Sequence, residues 1–310
     1  MRIPSPVLLM LAALCWGLSG GLGGLLVDRG WDPFVISLYR GAIGLVFIGI
    51  WLIAHPHRTE LRNRRLWGWS ALAGLGVAGN FAFYFLAVEH GSVAVAATLM
   101  YCAPVFVFLV SFLLGLERPT LFKWIAIALV LGGIALLTGV HRLNASDIAP
   151  IAVAAGLASG LSYAMFIFGF KYASRHGSAP AVLTIAFLVL IPVLLVPAEA
   201  GQVRDAMTTS DWPLFLALGV LGAGISFTFY VAGLRATPPA VASVIAMIEP
   251  VVASLFGLAV LGERLSPIQY AGMALILLTV TALSVGTRDH RRPLRRLRHL
   301  RPGRSIVTRR

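Results

Sequence analysis

Acidic residues are scarce in this chain: twelve Asp and Glu stand against twenty-five Lys and Arg, and all charged residues make up only 12% of it. With 58% of residues hydrophobic, that scarcity excludes an ordinary soluble fold. Cysteine is nearly absent. Cys15 and Cys102 both fall in apolar runs and lack metal-ligand spacing, so neither a disulfide framework nor a cysteine metal site is indicated. No Walker A pattern occurs, which argues against direct use of ATP. Neither cofactor nor metal is expected. The net charge of +13 does not point to nucleic acid, because ten of the basic residues follow residue 287 and short loops hold most of the others. Anionic membrane headgroups account for the same charge.

What the chain does have is long apolar stretches with polar punctuation. These predict ten membrane helices, at 6–27, 33–54, 66–88, 92–115, 121–140, 148–170, 179–197, 212–234, 238–261 and 267–286. The short seventh helix carries Pro192. Arg2 before Val7–Leu14 resembles a signal peptide, but Leu14 is too large to precede a lipoprotein cysteine. The apolar run also continues to Val27, so a retained first helix is expected. Counting Lys and Arg in alternate loops puts twenty on one side and four on the other, which predicts that both termini are cytoplasmic.

The halves repeat. At a shift of 146 residues Phe81-Ala-Phe-Tyr84 falls on Phe227-Thr-Phe-Tyr230, Pro104-Val105 on Pro250-Val251 and Glu117-Arg118 on Glu263-Arg264. Gly17-Leu-Ser19 falls on Gly160-Leu-Ser162 at a shift of 143. Five helices per half is an odd number, so the second half enters the membrane from the opposite side, giving an inverted repeat. The expected organisation is an all-α polytopic membrane protein: a first five-helix repeat at 6–140, a second at 148–286 and a basic cytoplasmic tail at 287–310.

Gly115-Leu-Glu117-Arg-Pro-Thr120 with Gly132-Gly133, Gly262-Glu263-Arg-Leu-Ser266 with Gly272, and Arg40 in Leu38-Tyr-Arg40 carry a family resemblance. Together they resemble the drug/metabolite transporter superfamily, and within it the ten-helix EamA-type exporters. Leu116 departs from the family's Gly-Glu pair. The resemblance implies a carrier that exports a small metabolite, such as an amino acid or related amphiphile, across the cytoplasmic membrane by alternating access.

Two other function classes are weaker alternatives. Gly17-Leu-Ser19-Gly-Gly21 superficially resembles the serine motif of rhomboid-type intramembrane hydrolases. A serine nucleophile needs a base within hydrogen-bond reach. His55, His57, His90, His141, His176, His290 and His299 lie in loops, at helix ends or in the tail, so no catalytic residue is assigned. The spacings Gly17-x-x-x-Gly21 and Gly20-x-x-x-Gly24 are better explained by close helix packing. The same holds for Gly74-x-Gly76-x-x-Gly79, a dinucleotide-like pattern without a preceding strand. A non-transporting scaffold is the remaining class, disfavoured because deep polar groups are costly to keep without a use.

The deepest such group is Glu249, near the middle of the apolar run Ala240–Leu261 and directly before Pro250. Arg40 lies about 10 Å and Glu249 about 16 Å below the outer surface at 1.5 Å per residue. The two could form an ion pair or gate across the repeat interface, or contact substrate. Glu249 could also carry a coupling proton, since burial disfavours its charged form. Trp16, Asn80, Tyr101 and Tyr163 are expected to line the substrate cavity with Glu249. Tyr84 and Tyr230, repeat mates, are placed at opposite mouths as candidate gates or as interfacial belt residues. Glu117 and Glu263 end helices at opposite faces, either as ion pairs and caps or as gates. Pro104 and Pro250, shared by both halves, are expected to bend their helices. Beyond a small-molecule substrate, the expected partners are membrane lipids, with the tail Arg288–Arg310 either an interfacial helix or a topology-fixing extension.

Overall fold

The computed structural model describes residues 3–54, 61–116, 118–143 and 149–289, which are helical with short turns. Glu117, the Asn144 region and the tail beyond residue 289 lie outside these. The helices are α1 (Ser5–Asp28), α2 (Pro33–Ala54), α3 (Arg64–Glu89), α4 (Val93–Met100), α5 (Ala103–Leu113), α6 (Leu121–Thr138), α7 (Pro150–Ala173), α8 (Ala179–Leu195), α9 (Ala200–Asp205), α10 (Trp212–Gly219), α11 (Ser226–Leu234), α12 (Pro239–Ala246), α13 (Ile248–Val260) and α14 (Pro267–Asp289). Eight continuous or once-broken helical stretches among them are long and apolar enough to cross a membrane, and Ala179–Leu195 and Pro267–Leu283 are shorter apolar helices. The short surface helix α9 was not foreseen from the sequence. Pro192 lies inside α8 without ending it.

Local chemistry sets the helix ends. The side chains of Asn63, Ser92 and Thr120 accept from the backbone N–H of Arg65, Val95 and Lys123, capping α3, α4 and α6. Gly115 and Gly262 take φ of +62° and +71° just beyond α5 and α13. A left-handed residue is cheap only for glycine there, which explains why both halves end that span in Gly.

The two prolines act alike. The span Val93–Leu113 breaks at Tyr101-Cys102, and Pro239–Val260 breaks at Met247. Each break lies just after the residue four before the proline, Met100 or Ala246, whose carbonyl the missing proline N–H leaves unpaired. A further irregularity, not expected from the sequence, is the π-helical turn Val220–Ile225 joining α10 to α11.

Small residues decide how closely these helices approach. A Cβ on Gly76 would stand 2.6 Å from the backbone nitrogen of Phe166, and one on Gly79 2.9 Å from Ser162 Oγ, so these two glycines seat α3 on α7, while Gly74 seats it on Ala186 of α8. Gly17 and Gly21 likewise press α1 onto Val252 and Phe256 of α13. Gly20 and Gly24 do not share this role: nothing lies within 4 Å of a Cβ at either. Only one of the two overlapping glycine spacings is a packing surface.

Candidate functional site

The helix break places Glu249 in the first turn of α13. There the unpaired N–H groups of a helix N-terminus favour a negative charge. A carboxylate at mid-span thus lies in the favourable field of a helix N-terminus, which a continuous helix would deny it. Gly17 brings α1 against this turn, its would-be Cβ only 2.7 Å from the Glu249 carbonyl oxygen.

Side chains distant in sequence converge on the carboxylate. Arg40, Tyr84, Tyr101, Tyr163 and Tyr230 all lie within electrostatic reach of Glu249. Tyr84 and Tyr230, expected at opposite mouths, therefore act on one shared group. Trp16 is 4% exposed, Tyr163 3% and Tyr230 1%. The rings form a continuous wall: Trp16 stands 4.8 Å from Tyr230 and 5.1 Å from Phe227, and Tyr163 4.4 Å from Phe166. Glu249 and Arg40 remain only partly buried.

Arg40 does not pair with Glu249. Its Nε and Nη2 donate to the Gly222 carbonyl at 3.0 and 2.7 Å, and its Cζ lies 5.3 Å from the Phe81 ring centroid. Ser226 Oγ donates to the same carbonyl at 2.7 Å. The π turn containing Gly222 thus fixes the arginine on one edge. Two opposite charges share the site without an ion pair between them.

Three buried polar atoms here, Trp16 Nε1, Tyr163 OH and Tyr230 OH, find no hydrogen-bond partner among the described residues. An unmet buried donor or acceptor costs about 1–3 kcal/mol, so three in one wall mark a surface built for something other than stability.

The remaining expected residues stand apart. Asn80 donates through Nδ2 to the Ser159 carbonyl at 3.1 Å and to Ser159 Oγ at 3.0 Å, and Ser159 Oγ donates back to the Asn80 carbonyl at 2.9 Å. That amide clamps α3 to α7 and is committed there. Glu263 is exposed at the far end of α13, its carboxylate folded over Gly257. Ser19 Oγ donates to the Trp16 carbonyl at 2.9 Å within its own helix, which leaves it no activating base. The sequence reading missed Phe81, Phe166, Phe227 and Gly222. Phe81 and Phe227 were visible as repeat mates beside the tyrosines, whereas Gly222 had no local signal.

One side of the bundle carries a latch. Asp211, just before α10, bonds Arg29 through one carboxylate oxygen and accepts from Trp31 Nε1 at 2.8 Å through the other. Gln202 bridges the Asp32 N–H and the Gly30 carbonyl, and Tyr39 OH donates to the Val203 carbonyl at 2.7 Å. The α1–α2 turn is thereby tied to α9 and the start of α10. The Trp31 and Arg29 donors hold the Asp211 carboxyl below its ordinary value.

Comparison with known proteins agrees with this architecture. The model of the EamA-like transporter family matches residues 4–139 and again 150–285. An uncharacterised transporter, YwfM of Bacillus subtilis (strain 168), is 24% identical over 91% of this chain and 94% of that protein. An uncharacterised transporter of Archaeoglobus fulgidus is 33% identical over 66% of this chain and 73% of its own length. The threonine/homoserine exporter RhtA of Escherichia coli (strain K12) is 27% identical over 88% and 90%. One crystal structure superposes with a TM-score of 0.72 over 92% of this chain and 98% of its own, at 19% identity, a likeness of fold.

Proposed function

The chain belongs to the EamA-like transporter family, and from that premise we propose that it is an alternating-access carrier that exports a small dipolar metabolite through the Glu249–Arg40 site. It is a multi-pass membrane transporter and not an enzyme. The observation that carries the finer reading is the separated charge pair. Oppositely charged groups in a low-dielectric site attract strongly, yet Arg40 is held to Gly222 and not to Glu249. A ligand with a carboxylate at one end and an ammonium at the other bridges the gap: the free edge of the guanidinium takes the anion, Glu249 the cation. The tyrosine rings add cation–π attraction to the ammonium, and the orphaned Trp16 and tyrosine polar atoms supply hydrogen bonds. An amino acid or a related amphiphile has this form, and the threonine/homoserine exporter among the relatives is named for such a substrate.

In this reading residues 6–140 and 148–286 are inverted repeats that rock about the site, with both termini cytoplasmic. The latch at Asp211 holds the outer mouth shut and must open for release. Glu249, lacking an acidic counterpart at Ala103, carries the coupling proton. The test is counterflow in proteoliposomes with labelled amino acids against sugars and drug-like cations. Preferential exchange of zwitterions is expected, with Glu249→Gln losing pH-dependent flux. Selective exchange of uncharged sugars, or unchanged pH dependence in the variant, would refute substrate class and coupling respectively.

A further inference from the structure

A cavity of about 250 Å³, separate from the Glu249 site, opens where α7 and α11 end and α12 begins at one face of the bundle. Lys171, Tyr172, Arg175, Arg235, Pro238 and Pro239 account for most of its wall, and no acid is among its described lining residues. It lies beyond the spans ending at Ala173 and Leu234 and beside the one starting at Pro239, at the depth of lipid headgroups.

Its cations are held in place. Lys171 Nζ donates to the carbonyls of Leu234, Arg235 and Thr237 at 2.7, 3.1 and 2.8 Å, pinning the α11–α12 turn to the end of α7. Arg235 Nη2 donates to the Gly177 carbonyl at 2.6 Å. Arg175 Cζ stands 4.9 Å from the Tyr172 ring centroid. Helix and turn geometry thus pre-orders three positive groups around one concavity, which spares a ligand the entropy of gathering them. The volume lies below the roughly 300–1,000 Å³ typical of sites for drug-sized molecules and is enough for a phosphate-bearing headgroup. Leu116 lines the rim, and Leu113, Leu114 and Leu116 are 79%, 60% and 40% exposed. An apolar track therefore leads away from a cationic cup.

We propose that this cup binds a phosphate-bearing anionic headgroup, with the acyl chains of a phospholipid lying along the Leu113–Leu116 track. Cationic pockets between helices on the cytoplasmic side hold anionic lipids by the same attraction. The site is independent of the Glu249 reading.

The test is native mass spectrometry of the full chain, titrated in parallel with phosphatidylglycerol, phosphatidylcholine and inorganic phosphate. Phosphatidylglycerol adducts should survive at activation energies that strip phosphatidylcholine. Affinity should fall about fivefold in Arg175→Gln and about 30-fold in Arg175→Gln/Arg235→Gln. Arg175→Lys/Arg235→Lys should restore most of it. The single variant keeps the Arg235–Gly177 bond, so it reads the site if the double variant does not fold. The ten tail arginines are unchanged in every variant and cannot explain a loss. Phosphate adducts lost in the same variants, without preference between the lipids, would support the cup but assign it a soluble phosphate. Equal retention of both lipids, unaltered by the substitutions, would overturn the proposal.

Discussion

Replacing Gly17 by alanine should part α1 from α13 at the level of Glu249. The new Cβ would stand 2.6 Å from Val252 Cβ and 2.7 Å from the Glu249 carbonyl oxygen, where ordinary contact begins at 3.4 Å. The helices must therefore separate by about 0.8 Å, and backbone on one side leaves little else to yield. Overpacking of this kind costs about 1–3 kcal/mol. Alanine returns about 0.5–1 kcal/mol through lower backbone entropy in the helix. The net is a loss of up to about 2.5 kcal/mol, a fall of several degrees at most in Tm for a chain of this size. Gly20, three residues on, is the internal control, because a Cβ there has nothing within 4 Å. Gly20→Ala keeps the entropic gain without the clash and should raise Tm slightly. Thermal unfolding of both variants in one detergent is the assay. Movement of the two in the same direction would refute the seating of α1 on the turn that carries Glu249.

Tyr230→Phe removes an unpaired buried hydroxyl, so Tm should hold or rise, by up to about 1 kcal/mol of stability, while counterflow falls; a drop in both would make the hydroxyl structural. Arg40→Lys loses the two-point grip on Gly222 and should weaken substrate affinity about tenfold, with charge retained; unchanged affinity in equilibrium binding would remove Arg40 from the site. Asp211 is held below its ordinary value of 3.8, so its contribution to the latch is complete above that value and is lost as pH falls through the lowered one. Wild type should accordingly be more thermally stable than Asp211→Asn at pH 7, with the difference closing in acid; a constant gap across that range would contradict the charge-based latch.

The apolar spans and the shared prolines were legible in the sequence because they obey local rules. In lipid each helix must close its own hydrogen bonds, so its length and punctuation are written in consecutive residues. Pro104 and Pro250 marked the breaks at Tyr101-Cys102 and Met247 for the same local reason: a missing N–H acts one turn away. Glu249 stood out as a charge that no bilayer tolerates without a partner.

What holds Glu249 was not legible. The buried and lipid-facing sides of a membrane helix are both apolar, so periodicity does not reveal how a helix is rotated toward its neighbours. Arg40 and Glu249 could each be placed in depth, but only helix packing decides that the guanidinium meets the Gly222 carbonyl and stops short of the carboxylate. Asn80 looked equivalent to Tyr163 by depth, yet helix rotation turns it to Ser159. Similarly, Gly17 and Gly20 belong to overlapping identical spacings, and tertiary contact alone separates the packed glycine from the open one. The sequence by itself determined a bundle of apolar helices with a lone acid at mid-depth. The tertiary structure decided which groups surround that acid, because relative helix rotation depends on the fit of whole surfaces.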